Sequence, residues 1–327
     1  MMTLDSRSVA RLYLCIPLLL IWFSLSTDAQ TVNGPQKQNQ RGSDAERVVI
    51  NSDLISFNIS VTDHLGHAIA GLQKGDFKIL DDKQAVDISL FSEDDVPVSL
   101  GIVFDLTGSM TGDKITRATD ALGHFLELSH KDDEFSLIGV KGGKIDLLLD
   151  RKRDGEAMLS NISSARTNGL TALFDACYLG VEKVTRGAHA RRALLIVSDG
   201  QDNNSRFSLK ELRQLVEESD VIVYAVGIVE GDSESDREGQ ENLETIATAS
   251  GGKAYFPFNG DQMESAFEKI AIELRRQYTI GYRPANFATD HRWHTVKVKV
   301  VKPSGVRRLT VRARPGYFAQ PGAPMQN

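Results

Sequence analysis

The sequence predicts an α/β fold in which helices cover both faces of a central, mostly parallel β-sheet, flanked by antiparallel β segments. Two observations carry this prediction. Between residues 98 and 276, continuous apolar runs typical of strands buried on both faces alternate with amphipathic helical patterns. Before and after that region, apolar and polar residues alternate with the period of two that is typical of half-buried strands.

The composition is that of an ordinary globular protein and argues against a nucleic-acid role. The chain has 327 residues, of which 41% are hydrophobic and 25% charged, and its formal net charge is −6. The length allows about two domains. An acidic chain lacks electrostatic attraction for a phosphate backbone. We therefore expect no nucleic-acid partner.

The N-terminus has the pattern of a secretory signal peptide. Arg7 and Arg11 precede an apolar run at Leu12–Leu25, and small residues follow at a suitable cleavage position. We predict that residues 1–29 are removed. An uncleaved anchor through residues 12–25 is the alternative, although the run is short for a membrane span. The expected location is periplasmic or extracellular, with membrane contact only if the anchor is retained.

Changes of pattern divide the rest of the chain into segments. The two β segments are predicted to join in one β-sandwich, with the α/β domain inserted between them; two separate small β modules are the alternative. Cys177 lies in an apolar helical pattern and is predicted to be a core residue. The predicted segments are a signal peptide at 1–29, a flexible polar linker at 30–46, an N-terminal β segment at 47–96, the α/β domain at 97–277, a C-terminal β segment at 278–318 and a tail at 319–327.

Within the α/β domain, hydrophobic periodicity predicts each element. The domain opens with the apolar strand Val98–Phe104, and a helix follows at 111–129 because its apolar residues share one face. The acidic run Glu230–Glu241 is predicted to be a surface loop. The remaining predicted strands are 135–140, 145–149, 193–197, 221–226 and 253–256, and the remaining helices are 153–164, 171–185, 209–218, 241–249 and 261–276.

In the β segments, Tyr278 and Tyr282 are predicted to be core residues. The seven histidines show no metal-ligand spacing, and His291 and His294, which flank Trp293, are predicted at the surface. The predicted strands are 48–50, 54–61, 76–80, 86–91, 295–300 and 308–312, the last two joined through a turn at 303–305.

The most informative segment is the turn after the first apolar strand of the α/β domain. Asp105, Thr107 and Ser109 present one carboxylate and two hydroxyls at alternate positions. These are hard oxygen donors of the kind that Mg²⁺ prefers. In open α/β sheets, ligands bind beyond the carboxyl ends of the strands, which is where Asp105 stands.

Two further residues are expected at the same edge of the sheet. Asp199 follows the apolar strand at 193–197, and Thr171 lies in a loop entering a helix. A lone Asp-x-Thr-x-Ser could be an ordinary helix cap, but donors from three loops favour a metal site. The neighbouring polar residues 202–204 could contribute to ligand contact, but they are interpreted as a solvated polar loop.

This set of residues resembles the metal-ion-dependent adhesion site of the von Willebrand factor A (VWA) domain family, shared with integrin I domains. The family pattern is a D-x-S/T-x-S loop, a threonine in a later loop and an aspartate after a later strand. It maps onto Asp105, Thr107, Ser109, Thr171 and Asp199. The resemblance covers Val98 to Arg276 and implies a Rossmann-like VWA domain. Thr107 replaces the commoner serine, and Leu170 stands where glycine is frequent.

The flanking segments are similar to those of bacterial exported VWFA-related proteins of the acidobacterial type. The segments that carry this similarity are Val61–Asp63 with Gly66, Gly71–Leu72 with Asp76–Phe77, Pro97–Gly101, Tyr278–Tyr282 and Pro315–Tyr317.

The resemblance implies metal-dependent adhesion. Ser109 and Thr107 would bind the metal through their hydroxyls, Asp105 and Asp199 mainly through waters, and Thr171 directly or through water. The expected cofactor is a divalent cation, Mg²⁺ first, with Mn²⁺ or Ca²⁺ as alternatives. The expected partner is a protein or peptide that supplies an Asp or Glu carboxylate to the open coordination position.

Two other function classes remain as alternatives. A metal-dependent hydrolase of the phosphatase type would carry a second aspartate two residues after the first, where this chain has Thr107. The sequence also lacks a Walker loop, a G-x-G-x-x-G after a strand and a G-x-S-x-G elbow. We therefore predict that the protein is not an enzyme. The second alternative is a structural envelope protein with a vestigial metal site.

Overall fold

The computed structural model describes residues 54–110, 113–164, 169–229, 231–284, 292–301 and 308–319. The predicted signal peptide, the linker, the strand at 48–50, the turn at 303–305 and all but the first residue of the tail lie outside these residues. Among the helices that are described, none combines the length and apolar character needed to cross a membrane.

The described residues form fourteen strands and six α-helices. The strands are β1 (Ile55–Thr62), β2 (Phe77–Asp81), β3 (Gln84–Val86), β4 (Ile88–Ser92), β5 (Val98–Asp105), β6 (Glu134–Lys141), β7 (Lys144–Lys152), β8 (Arg191–Ser198), β9 (Val221–Gly227), β10 (Lys253–Tyr255), β11 (Tyr278–Tyr282), β12 (Trp293–Val300), β13 (Thr310–Arg312) and β14 (Gly316–Phe318). The helices are α1 (Asp113–Glu127), α2 (Gly155–Ser163), α3 (Leu173–Thr185), α4 (Leu209–Glu218), α5 (Glu234–Ala249) and α6 (Gly260–Arg275).

A six-stranded sheet in the order β10-β9-β8-β5-β6-β7 forms the centre of the α/β domain. All neighbouring strands are parallel except the hairpin of β6 and β7. Every residue of β5 is buried, because α1, α2 and α6 cover one face of the sheet and α3, α4 and α5 cover the other. The predicted fold class is confirmed, and Cys177 of α3 is fully buried as expected.

The flanking β segments pair with each other across the inserted α/β domain. One sheet has the order β13-β1-β11-β4 and the other β14-β12-β2-β3, so each contains strands from both ends of the domain. A shared apolar core lies between them and includes the fully buried Tyr278 and Tyr282. The antiparallel segments therefore form the one β-sandwich of the predicted fold class, not two separate modules.

The acidic run after β9 differs from its prediction as a surface loop. Helix α5 begins at Glu234, and Ser233 and Asp236 form a capping box in which each side chain accepts from the backbone N–H of the other. Acidic residues in the first turn also interact favourably with the positive end of the helix dipole. The prediction was wrong because polar residues without apolar periodicity still form a helix when a cap and first-turn charges support it.

A buried ion pair joins the last helix of the α/β domain to the sandwich. Glu273 of α6 is 2% exposed, and its Oε2 lies 2.5 Å from Nη2 of Arg312 in β13. Its Oε1 accepts a hydrogen bond of 2.9 Å from the hydroxyl of Tyr224 in β9. The Glu273 charge raises the pKa of the Arg312 guanidinium against the opposing effect of burial. The two halves of the structure are therefore electrostatically coupled at this point.

Removing the cation of this pair is expected to destabilise the protein. Arg312→Met leaves Glu273 buried without its countercharge, which should lower the free energy of unfolding by about 3–5 kcal/mol in urea titrations. The double variant Arg312→Met/Glu273→Gln should regain most of that loss, because the amide keeps an acceptor for Tyr224 without the charge. Arg213→Ala, which breaks an exposed pair with Glu217, should change stability by less than about 1 kcal/mol. Equal effects of Arg312→Met and Arg213→Ala would contradict this account.

Candidate metal centre

Asp105 ends an inner strand of the sheet and is held by three hydrogen bonds. Its carboxylate is fully buried. Oδ1 accepts from the backbone N–H of Thr107 at 2.9 Å and from its hydroxyl at 2.6 Å, and Oδ2 accepts from the hydroxyl of Ser198 at 2.7 Å. Because Ser198 is the last residue of β8, these bonds also fix the ends of two adjacent strands to each other.

Three hydroxyls form a short row from the interior to the surface. The Thr171 hydroxyl donates to the Thr107 hydroxyl at 3.1 Å, and the Ser109 hydroxyl lies 3.3 Å from that of Thr107. Thr107 and Thr171 are buried, whereas Ser109 is exposed. The row therefore brings together the three hydroxyl residues that the sequence predicted for this edge of the sheet.

Asp199 follows β8 at the same edge and is 2% exposed. Its Oδ1 accepts from the backbone N–H of Gln201 at 3.1 Å. Gly200 adopts a φ of +83°, and a Cβ at this position would overlap the carbonyl oxygen of Gly239. Only glycine fits this close approach of the two backbones, which turns the chain immediately after Asp199.

The Thr171 loop is held in place by polar side chains that follow Asp199. The Asn203 side chain accepts from the Thr171 backbone N–H at 2.9 Å, and the Asn203 N–H donates to the Thr171 carbonyl at 3.0 Å. The Asp202 carboxylate accepts from the N–H of Phe174, in the first turn of α3, at 2.9 Å. These residues lie in a loop as predicted, with Asn203 and Asn204 exposed, and their contacts also fix the position of Thr171.

Leu170 stands where glycine is frequent in the family, and the residue before it, Gly169, supplies the backbone conformation instead. Gly169 supplies a positive φ of +76°, and the Leu170 carbonyl accepts from the N–H of Gly143, in the turn between β6 and β7, at 2.7 Å. The Leu170 side chain is 53% exposed beside Thr171. An exposed apolar side chain therefore borders the row of hydroxyls.

The two carboxylates at this edge repel each other. Burial, with a smaller contribution from the charge of Asp199, raises the pKa of Asp105 to about 6, although hydrogen bonds from Thr107 and Ser198 oppose the shift. Neither carboxylate takes part in an ion pair with a described lysine, arginine or histidine. Two buried acids at the same sheet edge as three hydroxyls are a donor set that suits a hard divalent cation, so these residues fit the metal that the resemblance implies.

Ser198 is the site residue that the sequence analysis did not single out. It is fully buried, donates to Asp105 and accepts from the N–H of Gly200 at 3.0 Å. Its position in the sequence could have indicated this role. Ser198 ends a buried strand directly before Asp199, so its hydroxyl lies beside the end of the neighbouring strand.

Replacing Asp105 by asparagine is expected to stabilise the metal-free protein at neutral pH. A carboxyl whose pKa rises from 3.8 when unfolded to about 6 when folded loses its stabilising contribution as the pH rises through 6, which amounts to about 3 kcal/mol by pH 7.5. Asp105→Asn avoids this loss. In urea unfolding with EDTA, the variant should equal or exceed the wild type at pH 7.5, and its relative advantage should shrink at pH 4.5. A variant that is equally destabilised at both pH values would contradict the assignment.

Comparison with known proteins supports the fold. The family model of the von Willebrand factor type A domain matches residues 100–270. An uncharacterised protein of Synechocystis is 22% identical over 198 residues, which are 60% of this chain and 45% of that protein. The chain thus spans less than half the length of this relative.

Solved structures with a similar fold share little sequence with the chain. BatB of Bacteroides thetaiotaomicron is 17% identical, with a TM-score of 0.43 over 54% of this chain and 98% of that one. A von Willebrand factor type A protein of Catenulispora acidiphila is 13% identical, with a TM-score of 0.47 over 82% of this chain and 72% of that one. Because the family model covers more than half of the sequence and the sheet has the expected arrangement, the chain belongs to the von Willebrand factor type A domain family.

Proposed function

We propose that the protein is an exported, adhesion-type binding module in which a divalent cation at the sheet edge is completed by a carboxylate of a protein or peptide partner. One observation carries the proposal: two buried carboxylates, Asp105 and Asp199, lie at one edge of the sheet with a row of three hydroxyls that reaches the surface. The N-terminal signal pattern supports export.

Charge balance supports a dication at this position. Asp105 and Asp199 together carry two negative charges when both are ionised, and burial makes that state unfavourable without a countercharge. A divalent cation supplies it. Mg²⁺ is the first choice because every proposed ligand atom is an oxygen, and Mn²⁺ or Ca²⁺ would accept the same donors.

The hydrogen bonds support a division of roles among the ligands. Both Asp105 oxygens already accept hydrogen bonds from protein groups, which suits contact with the metal through water. The exposed Ser109 hydroxyl has lone pairs available for direct coordination, and Thr107 would bind the metal in place of a hydrogen bond that its hydroxyl accepts from Thr171 or Ser109. Thr171 would bind directly or through water, and Asp199 would act mainly through water.

The partner would approach from the Ser109 side. Because few carboxylates would bind the cation directly, the cation would stay electrophilic. An anionic group of the partner is therefore a favourable additional ligand. The exposed side chain of Leu170 would add an apolar contact at the rim. A partner with an Asp or Glu next to an apolar residue matches both features.

A hydrolytic function is less well supported by the same contacts. Asp105 is fully buried and its oxygens are engaged by Thr107 and Ser198. These bonds hold the carboxylate back from nucleophilic attack on a substrate. Binding therefore accounts for the site better than catalysis.

Magnesium binding should depend on the buried carboxylates. Calorimetric titration of the full chain is expected to give about one Mg²⁺ site, and Asp105→Asn and Asp199→Asn should each weaken its affinity at least about tenfold. Asp146→Asn removes the same charge from an exposed position in β7 and is the control, with unchanged affinity expected. Equal Mg²⁺ affinity in Asp105→Asn and Asp146→Asn would refute the site.

Partner binding should require both the metal and the exposed hydroxyl. Affinity capture from envelope extracts is expected to retain a protein with Mg²⁺ present, and to lose it with EDTA or with Ser109→Ala. Leu170→Ser should weaken capture while leaving Mg²⁺ affinity unchanged, because Leu170 borders the metal without being a ligand. Capture that persists in EDTA would argue for a structural role that needs no metal.

A further inference from the structure

A second cluster of possible metal ligands lies in the β-sandwich, where the turn after β2 meets β12. Asp81 ends β2, Asp82 begins the turn to β3, and His294 lies in β12. Backbone and side-chain bonds fix this junction. The Asp82 N–H donates to the Thr295 carbonyl at 2.9 Å, and the Thr295 N–H donates to Asp82 Oδ1 at 2.9 Å.

One ligand atom from each of the three side chains lies within 4.8 Å of the other two. His294 Nδ1 is 3.0 Å from Asp82 Oδ2. His294 is 8% exposed, so its prediction as a surface residue was wrong. The reason is its position: it pairs with Tyr317 of β14, whose ring stacks on the imidazole with a centroid distance of 5.1 Å.

The Asp81 carboxylate provides the independent sign of a ligand. It is 7% exposed, and its Oδ2 accepts from the Tyr317 hydroxyl at 2.9 Å. Its Oδ1 is buried and, among the described residues, no donor reaches it with hydrogen-bond distance and angle, although the buried Tyr282 hydroxyl interacts with this carboxylate. Leaving a buried carboxylate oxygen unsatisfied is costly, and coordination of a metal ion is one of the ways in which proteins avoid that cost.

Among the described residues, the two tyrosines beside the cluster add no negative charge to it. Burial raises the pKa of Tyr282 and of Tyr317 well above the usual range, and the Asp81 charge adds to both shifts. Both phenols therefore stay protonated, and Tyr317 acts as a donor that orients Asp81. The charge available to a cation comes from the two carboxylates.

We propose that Asp81, Asp82 and His294 bind a transition-metal dication of the zinc type, at a site separate from the sheet edge and independent of the function proposed above. An imidazole nitrogen with two carboxylates suits Zn²⁺ and disfavours Mg²⁺, which prefers oxygen ligands alone. Ligand atoms around tetrahedral Zn²⁺ lie about 3.3 Å apart, given bonds of about 2.0 Å. The Asp82 side chain is 52% exposed. It can therefore move toward the other ligand atoms to the spacing that Zn²⁺ requires, and the site stays open to solvent.

Metal binding here would cross-link β12 to the end of β2, its neighbour in one sheet of the sandwich. Asp82 and His294 belong to the N-terminal and C-terminal β segments, between which the whole α/β domain is inserted. A metal that joins them closes a long loop of the unfolded chain, which raises the stability of the folded state. The expected readout is therefore thermal stability as well as binding.

The test uses the full chain without a histidine tag and in the Asp105→Asn background, so that the sheet-edge site does not contribute. Zn²⁺ titration against a chromogenic chelator should give about one site, and Zn²⁺ should raise the melting temperature measured by circular dichroism. Adding His294→Gln or Asp82→Asn should weaken Zn²⁺ binding at least about tenfold and abolish the shift. Asp82→Asn keeps the oxygen that accepts from Thr295, so it preserves the turn if His294→Gln fails to fold.

His124→Gln is the matched control, because His124 is a half-exposed histidine on α1. It should leave both Zn²⁺ affinity and the melting shift unchanged. If Asp82→Asn binds Zn²⁺ as tightly as the Asp105→Asn parent, the cluster is only a hydrogen-bonded pair that pins the turn to β12, and the proposal is overturned. This result would leave the Mg²⁺ site untouched, since that site is measured by a different metal in a different background.

Discussion

The arrangement of the candidate metal centre depends on the burial of two like-charged side chains at the ends of neighbouring strands. Asp105 ends β5, and Asp199 directly follows β8, which pairs in parallel with β5. Burial, together with a smaller contribution from the Asp199 charge, raises the pKa of Asp105 to about 6. Hydrogen bonds from Thr107 and Ser198 reduce this cost without removing it. The remaining unfavourable charge is what makes a cation at this edge physically reasonable.

The loops around these carboxylates are built to hold that arrangement. Gly200 turns the chain where only glycine fits, and Asp202 and Asn203 fix the Thr171 loop and the start of α3. The α/β domain is in turn coupled to the sandwich through Glu273 and Arg312. A change in the position of α6 would therefore move Glu273 relative to the buried guanidinium of Arg312 in β13.

Much of this was open to prediction from the sequence, because strand order and polarity follow from simple constraints. Apolar runs bounded by helices imply a parallel sheet, and residues at the carboxyl ends of its strands must meet at one edge. For that reason Asp105 and Thr171 could be placed together, although they are far apart in the chain. The pairing of the two β segments followed from their shared alternation.

The rest depends on interactions that a pattern does not encode. The start of α5 is set by a reciprocal cap at Ser233, and the role of Asn203 depends on a contact with a loop about thirty residues away. His294 was expected at the surface because it flanks Trp293 on a predicted strand and shows no metal-ligand spacing, whereas it is buried and pairs with Tyr317 of β14. Such long-range contacts become visible only when the chain is folded.

The central claim is that the three hydroxyls and two carboxylates hold a divalent cation. Anomalous diffraction from a crystal soaked in Mn²⁺ would test it most directly, because the scattering peak locates the metal without reference to activity. The account predicts a peak beyond the end of β5, about 2.0–2.3 Å from the hydroxyls of Ser109 and Thr107. A peak elsewhere, with none at this edge of the sheet, would contradict it.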